Sequence, residues 1–135
     1  MKRFLLDTGI AQDFINDRRG VRDRADEFRH RGCRIGICVP VLGELWSGVE
    51  GSVSRERNSR LLRQALSRLV LWPYSSEAAE EFGRLFAELR RIGRPMQQVD
   101  IQIAAIALSL GNCTVVTRDS DLSAIPGLSV ENWAL

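Results

Sequence analysis

Five short apolar runs, set apart by stretches of helical periodicity, constrain the fold of this chain more than anything else in its sequence. The runs are Arg3 to Leu6, Ile35 to Val39, Val70 to Trp72, Cys113 to Thr117 and Leu128 to Val130, each of a length that suits a buried strand. The intervening "VPVLGELWSGVEG" begins with Pro40, suited to the first helical position, and aligns Val41, Leu42, Leu45, Trp46 and Val49 on one face. "SRLLRQALSRL" repeats that spacing with Leu61, Leu62, Ala65, Leu66 and Leu69. "SSEAAEEFGRLFAELRRIG" has capping serines, early acids, an Ala79/Phe82/Phe86/Leu89 face, late arginines and Gly93 as a stop. "QVDIQIAAIALSLG" is apolar nearly all round, which marks a helix packed inside the domain. Such alternation predicts an α/β domain whose strands form a parallel sheet joined by right-handed crossovers. Trp46, Trp72, Phe82, Phe86 and Trp133 are expected in its core.

At 135 residues and 44% hydrophobic, the chain suits a single domain, residues 1–135, with a core large enough to fold without staples. No apolar stretch approaches the ~20 residues of a membrane span, and the N-terminus lacks the apolar segment of a signal peptide. A cytoplasmic protein is expected, with no membrane partner. The cysteines, Cys33, Cys38 and Cys113, lack CxxC spacing and suit buried reduced thiols. A net charge of +2 does not by itself argue for nucleic acid. Yet every basic residue except Lys2 is arginine, whose planar fork suits phosphate and carboxylate.

In parallel sheets of this kind ligands bind beyond the carboxyl ends of the strands, so position along the chain acquires a meaning. Asp7 follows the first run and Asp119 the fourth, which brings both to one edge of the sheet. Asp100 interrupts the start of the most apolar helix. Glu44 lies roughly 130° from the centre of its helix's apolar stripe at ~100° per residue, free to face a cleft instead of the core. Singly, these acids read as a helix-terminal charge, a surface glutamate and turn residues. Together, four carboxylates in one cleft repel one another without a cation, and the cluster predicts Mg²⁺ or Mn²⁺ held through oxygen.

The segments "LLDTG", "VLGELWSG", "QQVDIQIAAIALSLG" and "TVVTRDSDLSAIPGLSVENW" resemble, in order and spacing, the motifs of PIN-domain ribonucleases, most closely the VapC-type toxins of type II toxin–antitoxin systems. The resemblance runs from residue 4 to residue 133. It implies a PIN-like three-layer α/β/α domain with a central parallel sheet of about five strands. It also makes Asp7, Glu44, Asp100 and Asp119 the catalytic, metal-binding quartet, Thr8 the hydroxyl that orients it by holding Asp7, and Asp121 an auxiliary acid. The family usually has Asp-Thr-Asn in the first motif, and this chain has Gly9 at the third position.

The chemistry expected is hydrolysis of an RNA phosphodiester by a metal-activated water. Its sole histidine, His30, lies in a run of arginines and suits the surface, so a metal-free acid–base pair is not available. The resemblance implies 5′-phosphate and 3′-hydroxyl products. Arg118 beside Asp119 is the first candidate for RNA phosphate, with Arg84, Arg91 and Arg94 as further ones. By resemblance the partners are an RNA substrate, a second copy of the chain in a homodimer, and a cognate small antitoxin whose tail occupies a groove, with the Leu61 to Val70 and Ala78 to Ile92 helices as walls. Two alternatives remain at this point. One is a PIN-fold binding or interaction module of weak catalysis; the other is a phosphatase of the haloacid dehalogenase type, which would want an acid where Gly9 stands.

Overall fold

Phe4, Leu5 and Leu6 are wholly buried because β1 (Arg3–Leu6) is the central strand of the sheet, flanked on both sides. The computed structural model describes residues 1–135. The chain runs on through α1 (Thr8–Ile15), α2 (Val21–His30), β2 (Arg34–Cys38), α3 (Val39–Glu50), α4 (Arg55–Leu66) and β3 (Val70–Trp72). It closes with α5 (Ser76–Arg91), α6 (Gln98–Leu110), β4 (Cys113–Val116), a 3₁₀ turn over Ser120–Ala124, and β5 (Ser129–Glu131). The strand order is β3-β2-β1-β4-β5 and every pairing is parallel. Right-handed crossovers place α1 to α4 in one layer, where α1 packs on α2, α3 and α4, and α5 with α6 in the other.

Two helices were not legible as such. α1 is only eight residues long, and α2 buries just Val21 and Ala25, too few to write an apolar stripe. Polar contacts add to the few apolar ones: Arg22 reaches back to the carbonyls of Phe14 (2.8 Å) and Ile15 (3.0 Å) at the end of α1. The α5 stripe is rotated from the expected one. Ala78, Leu85 and Leu89 face inward, Ala79 lies outside, and Phe86 is 37% exposed, stacked on the half-buried Phe82. Trp72 and Trp133 are buried as expected, the latter against Phe4 and Phe28. α6 buries Ile101 and the whole run Ile103–Ala107, which is why its sequence shows no polar face.

Gly36 shows how close the strands lie. A Cβ there would stand 2.2 Å from the Val70 carbonyl oxygen and 2.9 Å from the Trp72 ring, so β2 and β3 pair only around a residue without a side chain.

Candidate active site

The strand order reverses at β1, between β2 and β4, and the crevice beyond the carboxyl ends of β1 and β4 gathers the acids. Asp7 leaves β1 and caps α1, its carboxylate accepting the Ile10 N–H at 2.9 Å. Across from it, Thr117 follows β4 and is 2% exposed. Its hydroxyl accepts the Asp119 N–H at 2.9 Å and faces the Asp7 carboxylate, whose charged form it favours, so one buried oxygen stands between the Asp119 backbone and the Asp7 side chain. Asp119 in turn caps the 3₁₀ turn by accepting the Asp121 N–H at 2.9 Å.

Glu44 stands on the exposed side of α3 and accepts a hydrogen bond from the Thr8 hydroxyl. Thr8 therefore orients Glu44, and Thr117 does for Asp7 what Thr8 was expected to do. The reason is local: Asp7 turns its carboxylate back to cap α1, whereas Thr8 is the first residue of that helix and meets α3, which packs beside it. Asp100 occupies the first turn of α6 and is half-buried.

The electrostatics show that these groups sense one another. Burial pushes the Asp7 carboxyl up from its ordinary value; the Thr117 and Ile10 hydrogen bonds and the Arg118 charge pull the other way, and Asp119 adds to the rise. Asp100 is raised first by burial and then by Asp119, Asp7, Glu44 and Asp121, carboxylates all. Asp100, Asp119 and Asp121 line an open cleft of about 420 Å³, with Asp7 and Glu44 outside its lining. No three acidic, histidine or cysteine side chains close into a ready-made ion cage. Like charges without a counter-ion stay apart, and a cation that keeps several of its waters needs no closed cage.

The arginines divide. Arg84 pairs with Glu81 at 2.7 Å and Arg91 with Glu88, one turn away on α5, as solvated helix charges do. Arg94 lies 3.6 Å from Asp121 at the cleft, and Arg118 stands between Asp7 and the buried Asp13, 3.7 Å from the latter. The remaining nucleophiles take no part. Burial pushes the Cys38 thiol up to about 12 and Cys113 up to about 11, which keeps both protonated, and all the cysteines are free. His30 ends α2, just before β2 begins, at the edge of the sheet opposite the acids.

Sequence reading missed two residues of this neighbourhood. Thr117 was visible only as the polar end of an apolar run, and Asp13 lies on a helix that the sequence did not announce. Removing the Thr117 hydroxyl strands two partners at once. Thr117→Val is expected to destabilise the fold by about 1 kcal/mol, the net worth of a lost part-buried hydrogen bond, with Thr117→Ser recovering most of it in denaturant titrations.

The helices around α4 also differ from expectation. α4 packs on α1 and α3 while α5 packs on α6, and the cavity beside α4 is walled by α1 and α3 instead of α5.

The sequence profile of the PIN domain matches residues 4–128 of this chain. The tRNA(fMet)-specific endonuclease VapC of Salmonella typhimurium is 34% identical over 134 residues, 98% of this chain and 99% of that protein. Ribonuclease VapC2 of Haemophilus influenzae is 31% identical over 133 residues, again 98% and 99% of the two chains. Among solved structures, VapBC2 from Rickettsia felis bound to a DNA fragment from their promoter gives a TM-score of 0.90 at 32% identity, covering 97% of this chain and 98% of that one. DNA-bound VapBC from Salmonella typhimurium gives 0.90 at 34%, covering 99% and 100%. No helix is long and apolar enough to cross a membrane.

Proposed function

This chain belongs to the PIN domain family, and from that premise we propose that it is an Mg²⁺- or Mn²⁺-dependent endoribonuclease, the toxin of a VapBC-type pair. The observation that carries the reading is the gathering of acids at the sheet edge: Asp100, Asp119 and Asp121 line one cleft, Asp7 and Glu44 stand at its border, and burial followed by these carboxylates pushes Asp100 upward. A group of acids so placed has a use for a cation, and its all-oxygen donor set suits a hard divalent ion. Asp7, Glu44, Asp100 and Asp119 would hold it, with Asp121 at the rim. Bound there, the ion supplies Lewis acidity to water and to the scissile phosphate.

The chain's own residues fix the geometry in which that chemistry would occur. Thr117 and the Ile10 N–H hold the Asp7 carboxylate from two sides. Thr8 keeps Glu44 turned toward α1. Arg118 and Arg94 put positive charge at two borders of the acids, where an RNA backbone entering a negative crevice needs compensation. The relative from Salmonella typhimurium makes tRNA(fMet) the first substrate to assay. The solved relatives are VapBC pairs, which supports a small antitoxin as the partner of this chain.

The test is cleavage of tRNA(fMet) and of total RNA by the purified protein, with Mg²⁺ or Mn²⁺ against chelator, and with Asp7→Asn beside the wild type. Cleavage confined to wild type with added ion is expected. Equal cleavage in chelator, or by Asp7→Asn, would remove the metal quartet from the mechanism. RNA binding without cleavage under any divalent ion would favour the interaction module.

A further inference from the structure

Asp13 is the only charged residue of the chain that is fully buried, 3% exposed on α1. An ionised carboxylate in such a place is costly unless its oxygens are compensated. Oδ1 is compensated by Arg19, whose Nη1 donates to it at 2.7 Å. Oδ2 has no hydrogen-bond partner; facing it is the Arg118 Nε at 3.7 Å, an ion-pair separation. The far end of Arg118 lies over Gly9, where a Cβ would stand 3.2 Å from Nη2 and 3.8 Å from the Asp7 Oδ1. The guanidinium thus spans from a buried acid to the edge of the acidic crevice. It also borders a cavity of about 370 Å³ between α1, α3 and α4, to which Arg18 and Arg19 add charge and Gln12, Asn16 and Asn58 add amides.

We propose that Asp13 is a positioning residue for RNA: it holds the Nε edge of Arg118, so that the Nη edge stands beside Asp7 to receive the phosphate next to the scissile one and lead the strand toward the α1–α3–α4 cavity. The proposal rests on the ribonuclease reading above. Its physical basis is a competition between carboxylates. An arginine tethered beside Asp119 and near Asp7 would otherwise fold onto those acids and neutralise them. Asp13, buried and itself pinned by Arg19, draws Arg118 the other way. The planar fork makes this division possible, since Nε and the Nη pair can serve different partners. Gly9 contributes by absence, because a side chain there would press on the guanidinium.

The experiment has two readouts. The first is the Arg118 Nε–H chemical shift in ¹⁵N spectra of the RNA-free protein, expected to move in Asp13→Asn as the facing carboxylate charge is removed. The second is affinity for a single-stranded RNA, with Ca²⁺ in place of Mg²⁺, at several salt concentrations. Arg118→Ala is expected to weaken binding about tenfold and to lower the slope of log K against log salt by about 0.7, one phosphate's worth. Asp13→Asn is expected to weaken binding about threefold or more, with no further loss in the Arg118→Ala background. A merely structural Asp13 would lower the melting temperature and leave the two effects additive. RNA binding by Asp13→Asn as tight as wild type or tighter, or an unchanged Nε–H signal, overturns the proposal. Should Asp13→Asn not fold, Arg118→Lys decides: wild-type affinity would mean that charge alone suffices and no fork is being positioned. A wild type that cleaves RNA, with an Asp13→Asn variant that binds RNA as tightly as it does, sinks only the positioning role, whereas a wild type that neither binds nor cuts RNA sinks the ribonuclease reading with it.

Discussion

Asp100→Asn is expected to abolish cleavage, by at least about a hundredfold, while making the protein without its cation more stable. The two effects share one cause. Asp100 is held above its ordinary pKa by burial and by four neighbouring carboxylates, so at neutral pH its charge opposes folding. The amide keeps the shape and removes the repulsion. Water reaches this half-buried group, and the gain is on the order of 1 kcal/mol at most, a rise of a few degrees in melting temperature. Thermal unfolding in chelator, beside the cleavage assay, checks both signs. A variant that is both inactive and less stable would mean that Asp100 is a structural partner and not a member of a repelling cluster.

Added Mg²⁺ or Mn²⁺ is expected to raise the melting temperature of wild type, and to do so more at pH 7.5 than at pH 4. Asp7 and Asp100 both have folded-state pKa values above the ordinary 3.8. The folded protein therefore binds more protons than the unfolded chain in the window that begins near that value and ends at the raised ones. Stability from these two groups is present below the window and is lost as pH rises through it. A cation competes with those protons and offsets that repulsion, so its effect grows through the same window and levels off above it. At an ion concentration ten times its dissociation constant the stabilisation is about 1.4 kcal/mol, or roughly 5 °C for a domain of this size. The shift is expected to shrink in Asp7→Asn and Asp100→Asn. An equal shift in wild type and both variants would place the ion elsewhere.

How much of this was legible in the sequence depends on the residue. The α6 pattern could be read because a helix buried all round leaves no polar face, and its only early acid, Asp100, stood out against it. The five strands were read to within a residue or so, since buried parallel strands are written as unbroken apolar runs. α2 was not, because Arg22 and two small buried contacts hold it in place of an apolar stripe. Phe86 was expected inside and is exposed, because Ala78, Leu85 and Leu89 already fill the inner face of α5. Arg84 and Arg91, candidates for phosphate by residue type, are paired within their own helix.

The sequence by itself determined which residues could form strands and where acids would emerge from them, because both are local properties: run length, periodicity, and a charge at the end of an apolar stretch. Partnership was decided only by the tertiary structure. Thr8 adjoins Asp7 in sequence and Thr117 lies two residues before Asp119, yet Thr8 serves Glu44, 36 residues away, and the hydroxyl facing Asp7 comes from Thr117 on the neighbouring strand's end. Asp13 is unremarkable in the chain, and it becomes a buried anchor because the β1–β4 pairing carries Arg118 back over α1. A side chain's neighbours across a parallel sheet are set by crossovers that run far along the chain, and no local pattern records them.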